Sequence, residues 1–329
     1  MKYASIIGVG AYLPERRLTN EDLEQIVETS DEWITTRTGI KERRLAESHE
    51  ATSDLAVQAA RAAILDARVS ADEIDLLIVG TSSPDYIFPS TACVTQAKLG
   101  LTCPAYDVMA ACTSFVYALQ NATSAIESGR ARTVLVIGAD ALTRHVDFSD
   151  RGTCVLFGDG AGAFVLRASE EAGVLGVDLG ADGTGSDVLK IPSGGSALPA
   201  TAETVAEGLQ YVQMSGNEVF KFAVRVIPKT TEAALRQSGL TVGDIDWLIP
   251  HQANQRILDT VADRLGLPHE RVVSNIALTG NTSAASIPLA VSDLYTSGNL
   301  RPGHVLALVG FGAGLTWGAA VVRWTKEVQ

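Results

Sequence analysis

A faint internal repeat narrows the folds open to this chain more than any other feature. "EIDLLI" (Glu73 to Ile78) lines up with "DIDWLI" (Asp244 to Ile249) at an offset of 171 in the numbering. "TVLVIG" lines up with "HVLALV" at that same offset, Val134 with Val305 and Leu135 with Leu306. Single pairs of buried strands match by accident, because all are runs of apolar residues. Two pairs sharing one offset, close to half of the 329 residues, point to a duplicated architecture. The expected halves are 1–171 and 172–329, with the boundary near Glu171. The same offset carries Cys112 onto Ser283, so two helix starts are expected to face one shared centre about a pseudo-twofold axis.

Strand-like and helix-like segments alternate along the chain, the mark of an α/β protein. "YASIIGVG", "DLLIVGTS", "TVLVIGAD" and "GAFVLRA" read as strands, and "ATSDLAVQAARAAILDA" reads as an amphipathic helix between two of them. With 46% hydrophobic and 19% charged residues the chain can bury a large core. A formal charge of −12 argues against generic binding to nucleic acid or to an anionic membrane. The uncharged stretch from Val305 to Val322 approaches transmembrane length, but glycines punctuate it and it reads as two buried strands around a turn. Cys93, Cys103, Cys112 and Cys154 show no metal-type spacing and no disulfide framework, which suits a cytoplasmic setting, and the N-terminus reads as a strand rather than a signal peptide.

Three residues carry candidate chemistry. Cys112, in "DVMAACTSFVYALQNA", is expected in the first turn of a helix with Phe115, Leu119 and Ile126 on one face, ending near Gly129. There the dipole and the free N–H groups favour thiolate, and those N–H groups can hold an oxyanion. The alternative is a small buried hydrophobe, the reading kept for the other three cysteines. His251, in "WLIPHQANQRIL", sits where a strand ending at Pro250 meets a helix beginning near Gln252 or Ala253, a rim where α/β proteins build sites. The alternative is a satisfied polar residue, the reading kept for the other four histidines. Asn281, in "LTGNTSAAS", is either a site carboxamide or a turn residue capping a helix. "VGFGAGLTWG" lacks a P-loop lysine and reads as a tight turn presenting backbone N–H groups.

"AAC" opening a helix, "HQAN", "GNTSAAS" and "GFGAGLTWG", in that order, resemble the β-ketoacyl-acyl carrier protein synthase III family; so do "TSDEWITTRTGI" and "DRGT…LFGDGAGA". The resemblance implies a thiolase-like duplicated five-layer αβαβα fold and a Cys–His–Asn site at Cys112, His251 and Asn281. It implies an acyltransferase that condenses a short acyl-CoA, acetyl-CoA foremost, with malonyl-acyl carrier protein to initiate fatty acid synthesis. The alternative keeps the acyl-cysteine chemistry with another acceptor, in secondary-metabolite or signal synthesis. A Cys–His–Asn hydrolase and a non-catalytic CoA-binding module stand further off.

By the same resemblance, the N–H groups of Cys112 and Ala313 form the oxyanion hole, although familiar members have Gly at the latter position. CoA contacts fall on Trp33 and Arg151 around the adenine, Arg37 at phosphate, and Thr29, Gly152, Met214, Gly216, Asn217, Ala253 and Asn254 along the pantetheine tunnel. Read from the residues alone, Thr29 to Glu32 is a capping box. Carrier-protein docking is carried to Gln252, Ala253, Asn254, Gln255, Arg256 and Lys221, with Asp259 and Asp263 less basic than the family pattern. The acyl pocket is expected to end at Phe88, supplied across a homodimer interface. No metal and no cofactor is implied, CoA thioester being a substrate.

Overall fold

Runs of apolar residues buried on both faces form the strands of two sheets in the computed structural model, which describes residues 2–326. In the first sheet, β1 (Tyr3–Tyr12), β2 (Leu76–Gly80), β3 (Ala105–Val108), β4 (Thr133–Asp140) and β5 (Gly160–Ser169) lie in the order β1-β5-β4-β2-β3. In the second, β6 (Val174–Ala181), β7 (Trp247–Pro250), β8 (Val305–Gly312) and β9 (Thr316–Arg323) lie in the order β7-β8-β9-β6. In each sheet a short strand runs parallel to a longer central one, β2 to β4 and β7 to β8, and the next two pairings are antiparallel. β1 and β6, which begin at Tyr3 and Val174, keep the offset of the repeat. The partner of β2 on its far side, β3, has no full counterpart; a single parallel bridge from Leu248 to Val272 occupies that edge.

The repeat is real, but its spacing slips by one position. Leu76 pairs with Val134, and Trp247, the counterpart of Leu76, pairs with Leu306 rather than Val305. Val134 and Val136 join Leu306 and Leu308 in the cluster between the sheets, whereas Leu135 and Ile137, like Val305 and Ala307, face outer helices. A strand's faces alternate with period two, so matching Val134 to Val305 would oppose an inner residue to an outer one. The offset beyond β7 is therefore larger by one, and the counterpart of Cys112 is Ala284. Ser283 answers instead to Ala111, and those two share an uncommon positive φ, 49° and 50°.

Helices α1 (Asp31–Thr38), α2 (Thr52–Ala67), α3 (Ser114–Glu127), α4 (Gly216–Gln237), α5 (Gln255–Leu265) and α6 (Ser286–Thr296) complete the architecture around the site. α3 and α6 lie between the sheets, α2 covers the first sheet and α4 covers the second with α5 against it, giving five layers. The central helices are apolar most of the way round because sheets press on both sides: Phe115, Val116, Ala118, Leu119, Ala122 and Ile126 are all buried. The Val305–Val322 stretch is β8, a turn and β9. No helix among the described residues is long and apolar enough to cross a membrane.

Two glycines let each sheet touch the other half's helix start. A Cβ on Gly138 of β4 would collide with the Ala284 carbonyl. One on Gly310 of β8, the matching position in the second half, would lie 3.3 Å from Thr113 Cα. Close backbone approaches between the halves thus occur beside Cys112 and beside the Asn281 loop.

Candidate active site

β3 delivers the chain to Ala110 and α3 takes it up at Ser114, with Thr113 as N-cap. Cys112 consequently lies one residue ahead of the cap, not within the first turn. Its sulfur is buried, and burial pushes its pKa up to about 12; a hydrogen bond from Ser283 opposes this and the nearby Asp140 carboxylate adds to it. The expectation of a thiolate held by the helix dipole is corrected here. A helix end favours an anion by at most about 1 kcal/mol at ordinary sites, less than one pKa unit, and burial outweighs it. Burial therefore favours the thiol form of Cys112 over the thiolate.

His251 follows β7, its N–H donating to the Val309 carbonyl of β8 at 2.7 Å. The ring meets the Ser286 hydroxyl at Nδ1 (3.0 Å) and packs edge-on against Phe311, centroids 5.3 Å apart. Complete burial pulls its pKa down to about 3, so the imidazole is neutral. α5 begins at Gln255, later than expected, because Asn254 serves as N-cap: its Oδ1 accepts from the Arg256 N–H, while its Nδ2 donates to the Arg37 carbonyl. Gln252 is fully buried, its amide spent on Pro250, Val273 and Asn275, which fixes the turn carrying His251. That burial removes Gln252 from the expected docking surface.

Asn281 is held by exchange with the "LFG" segment: its N–H donates to Leu156 and its carbonyl accepts from Gly158. Beneath them the wholly buried Arg43 donates to Leu18, Asn20 and Val155. The Asn281 Oδ1 accepts from the Ser283 N–H at 2.9 Å, so the turn reading holds in part. What the carboxamide retains to offer a bound molecule is its N–H donors.

Cys112, His251 and Asn281 line one cavity of about 530 Å³. Trp33, Arg37, Gly152, Met214, Gly216, Asn217, Ala253 and Asn254 line it too. Arg151 reaches it indirectly, its guanidinium stacked over the Trp33 ring at 4.6 Å, with Arg37 at 4.5 Å from the same ring. Thr29 is not in the lining; its hydroxyl is buried without a partner, and the cap of α1 is Ser30, so the Thr29 capping box does not form. A second cavity of about 430 Å³ meets the first at Cys112, with Ala313, Ser283, Met109, Leu142, Ile191 and Val212 among its walls. Ala313 keeps an ordinary φ, and a Cβ on Gly312 would lie 2.7 Å from the Cys112 nitrogen, so this turn sits directly against the Cys112 backbone. Phe88 of this chain lines neither cavity and is 85% exposed.

At the mouth, Arg256 is exposed with its guanidinium 5.7 Å from the Phe220 ring, and Lys221 is exposed but paired to Glu218 at 3.0 Å. Gln255 is tied to Asp259 and Ser274. The acidic Asp259 and Asp263 of α5 face His269, whose pKa the hydrogen bond to Asp263 raises. No group of His, Cys, Asp and Glu suited to a metal occurs among the described residues. Ser286, Phe311 and Gln252 are the positioning residues that sequence reading missed. Ser286 had a signal, five positions after Asn281 in "GNTSAAS"; the burial of Gln252 had none.

Residues 106–183 match the family profile described as 3-oxoacyl-[acyl-carrier-protein] synthase III, and residues 235–324 match that of its C-terminal part. The β-ketoacyl-[acyl-carrier-protein] synthase III of Symbiobacterium thermophilum is 53% identical, over 98% of this chain and 98% of its own. The crystal structure of 3-oxoacyl-[acyl-carrier-protein] synthase III from Aquifex aeolicus superposes with a TM-score of 0.90 at 45% identity, covering 98% of this chain and 100% of that one. A priming β-ketosynthase of a polyketide biosynthetic pathway superposes at 0.93 with 37% identity, covering 100% of this chain and 98% of that one.

Proposed function

The chain belongs to the 3-oxoacyl-[acyl-carrier-protein] synthase III family, and from that membership we propose how its residues divide a decarboxylative condensation. It is an acyltransferase of fatty acid synthesis, joining a short acyl-CoA to malonyl-acyl carrier protein with loss of CO2. The observation that carries the assignment of roles is one cavity lined by Cys112 from the first sheet's half and by His251 and Asn281 from the second's.

Cys112 Sγ attacks the acyl-CoA carbonyl; the new S–C bond forms, the bond to CoA sulfur breaks, and the thiol proton leaves with CoA. The N–H groups of Cys112 and Ala313 hold the oxyanion, a role supported by the close seating of Gly312 against the Cys112 nitrogen. Malonyl thioester then loses CO2, and its carbonyl oxygen becomes an enolate oxygen. Donors suffice for that step, since no carbon-bound proton is removed. His251 Nε2 and Asn281 Nδ2 supply them: with the Ser286 hydroxyl, 3.0 Å from Nδ1, as the donor of that bond, the single proton of the neutral ring sits on Nε2 and can be donated to the enolate oxygen. The enolate carbon attacks the acyl carbon, the C–S bond to Cys112 breaks with its electron pair going to sulfur, and the thiolate takes up a proton from solvent to restore the thiol.

The CoA nucleotide lies by Trp33, Arg37 and Arg151, and pantetheine follows the cavity to Cys112. Acyl carrier protein docks at Arg256, Lys221 and the exposed parts of Ala253, Asn254 and Gln255. The boundary between the two structural halves falls near Glu171, and a second copy covers Tyr86, Ile87, Phe88 and Met109, which are 60 to 85% exposed. Phe88 of that copy closes the acyl pocket. Free thiols at all four cysteines support a cytoplasmic setting.

The test supplies a panel of acyl-CoAs with malonyl-acyl carrier protein and follows 3-oxoacyl product. Product from short primers, acetyl-CoA first, supports the reading. Free acid and CoA without condensation product would indicate hydrolysis. An acyl-enzyme that ignores malonyl-acyl carrier protein would indicate another acceptor.

A further inference from the structure

The roles above leave one group unassigned that touches the reacting atom. Ser283 Oγ donates to Cys112 Sγ at 3.4 Å, and the residue is 1% exposed. Its φ of 49° is uncommon for a residue with a side chain and persists only where the surroundings enforce it. They do so here. Asn281 Oδ1 accepts the Ser283 N–H, and Asp140 Oδ2 accepts the next N–H, that of Ala284, at 3.0 Å. Asp140 is itself fixed through its other oxygen by Thr81, Ser82 and Ser83. A strained, over-determined backbone thus aims a hydroxyl at the nucleophile from the opposite half.

We propose that Ser283 is a further catalytic residue, a hydroxyl donor that stabilises negative charge on Cys112 sulfur whenever that sulfur is a thiolate. The proposal rests on Cys112 being the nucleophile. Charge reaches this sulfur twice: when the thiol gives up its proton on attacking acyl-CoA, and when the enolate carbon takes the acyl group and the C–S electron pair returns to Sγ. The O–H keeps its own proton in both steps and is neither oxidised nor consumed. The surroundings make such a donor necessary. Burial and the Asp140 carboxylate on β4 disfavour the anion, and His251, beyond the end of β7, is neutral and brings no positive charge; the Ser283 hydroxyl and the Cys112 N–H favour it. His251 and Asn281 are assigned to the enolate alone, whereas Ser283 serves both half-reactions.

The test compares wild type with Ser283→Ala and Ser283→Gly. Glycine suits the positive φ at this position and keeps the comparison available if the alanine variant fails to fold. Iodoacetamide alkylation is followed across pH by peptide mass, so that Cys112 is read separately from the exposed Cys93. Single-turnover acylation from acetyl-CoA is measured alongside. Both variants should melt with wild type, acylate at least roughly tenfold more slowly, and show slower Cys112 alkylation than wild type at every pH where the protein stays folded. Wild-type acylation rates in the glycine variant, or unslowed Cys112 alkylation, would overturn the proposal. A wild-type enzyme that takes no acyl group on Cys112 would instead remove the assignment of the nucleophile, an outcome the alkylation profiles keep separate.

Discussion

A protonated thiol beside a neutral imidazole is the state that burial imposes on the two titratable residues of this site. If His251 and Asn281 act as the proposed donors to the enolate, His251→Ala and Asn281→Ala should each cut condensation by ~10²–10³. Acyl-enzyme formation should survive largely intact in both, as read by single-turnover acylation; equal loss in both half-reactions would contradict the division of roles. The pH profile is a second check. With His251 neutral down to about 3, condensation by preformed acyl-enzyme should show no inflection near the ordinary histidine pKa of about 6.5. The sign for stability follows: the folded pKa lies below the unfolded value, so acidification from about 6.5 toward 3 adds protons to the unfolded chain first and destabilises the fold. Cys112, His251 and Asn281 were each marked in sequence by a place at the end of an element, with a bland alternative left open, and it was the family motifs that joined them into one site. Their protonation states were not legible, because these depend on burial that only the packed halves create.

At the scale of elements, the halves meet at glycines and at caps. Gly138→Ala should cost about 1–3 kcal/mol by overpacking, and more if the Ala284 carbonyl cannot move aside, measured by denaturant unfolding against wild type. Asn254→Ala should cost about 1 kcal/mol through its lost cap on α5, and should also weaken acyl-CoA binding, because Asn254 ties α5 to the Arg37 carbonyl at the cavity mouth. The strands and the duplication were legible from runs such as "TVLVIG" and "HVLALV". The slip of one position between them was not read from these branched apolar runs, and the strand pairing together with the inner cluster of Val134 with Leu306 reveals it. The start of α5 was misjudged for a related reason. "HQAN" spends Gln252 and Asn254 on backbone groups before the helix begins, and a sequence cannot say which polar side chain finds the backbone first.

For the molecule as a whole, five layers bury Cys112 on a seam between two sheets, and Tyr86, Ile87, Phe88 and Met109 are exposed apolar side chains, Met109 also lining the second cavity. If a second copy covers these side chains, Ile87→Glu should convert a dimer to a monomer in sedimentation and reduce condensation with it; an unchanged dimer would remove Phe88 from the acyl pocket. Nothing in one chain's sequence marks which copy supplies a wall. Beneath all of this lies the claim that acyl groups pass through Cys112. Intact and peptide mass spectrometry after incubation with acetyl-CoA, followed by addition of malonyl-acyl carrier protein, reads that transfer at the atom itself. A single acetyl adduct is expected on the Cys112 peptide, absent in Cys112→Ala and discharged as 3-oxoacyl product. An adduct on another residue, or condensation that persists in Cys112→Ala, would refute the claim.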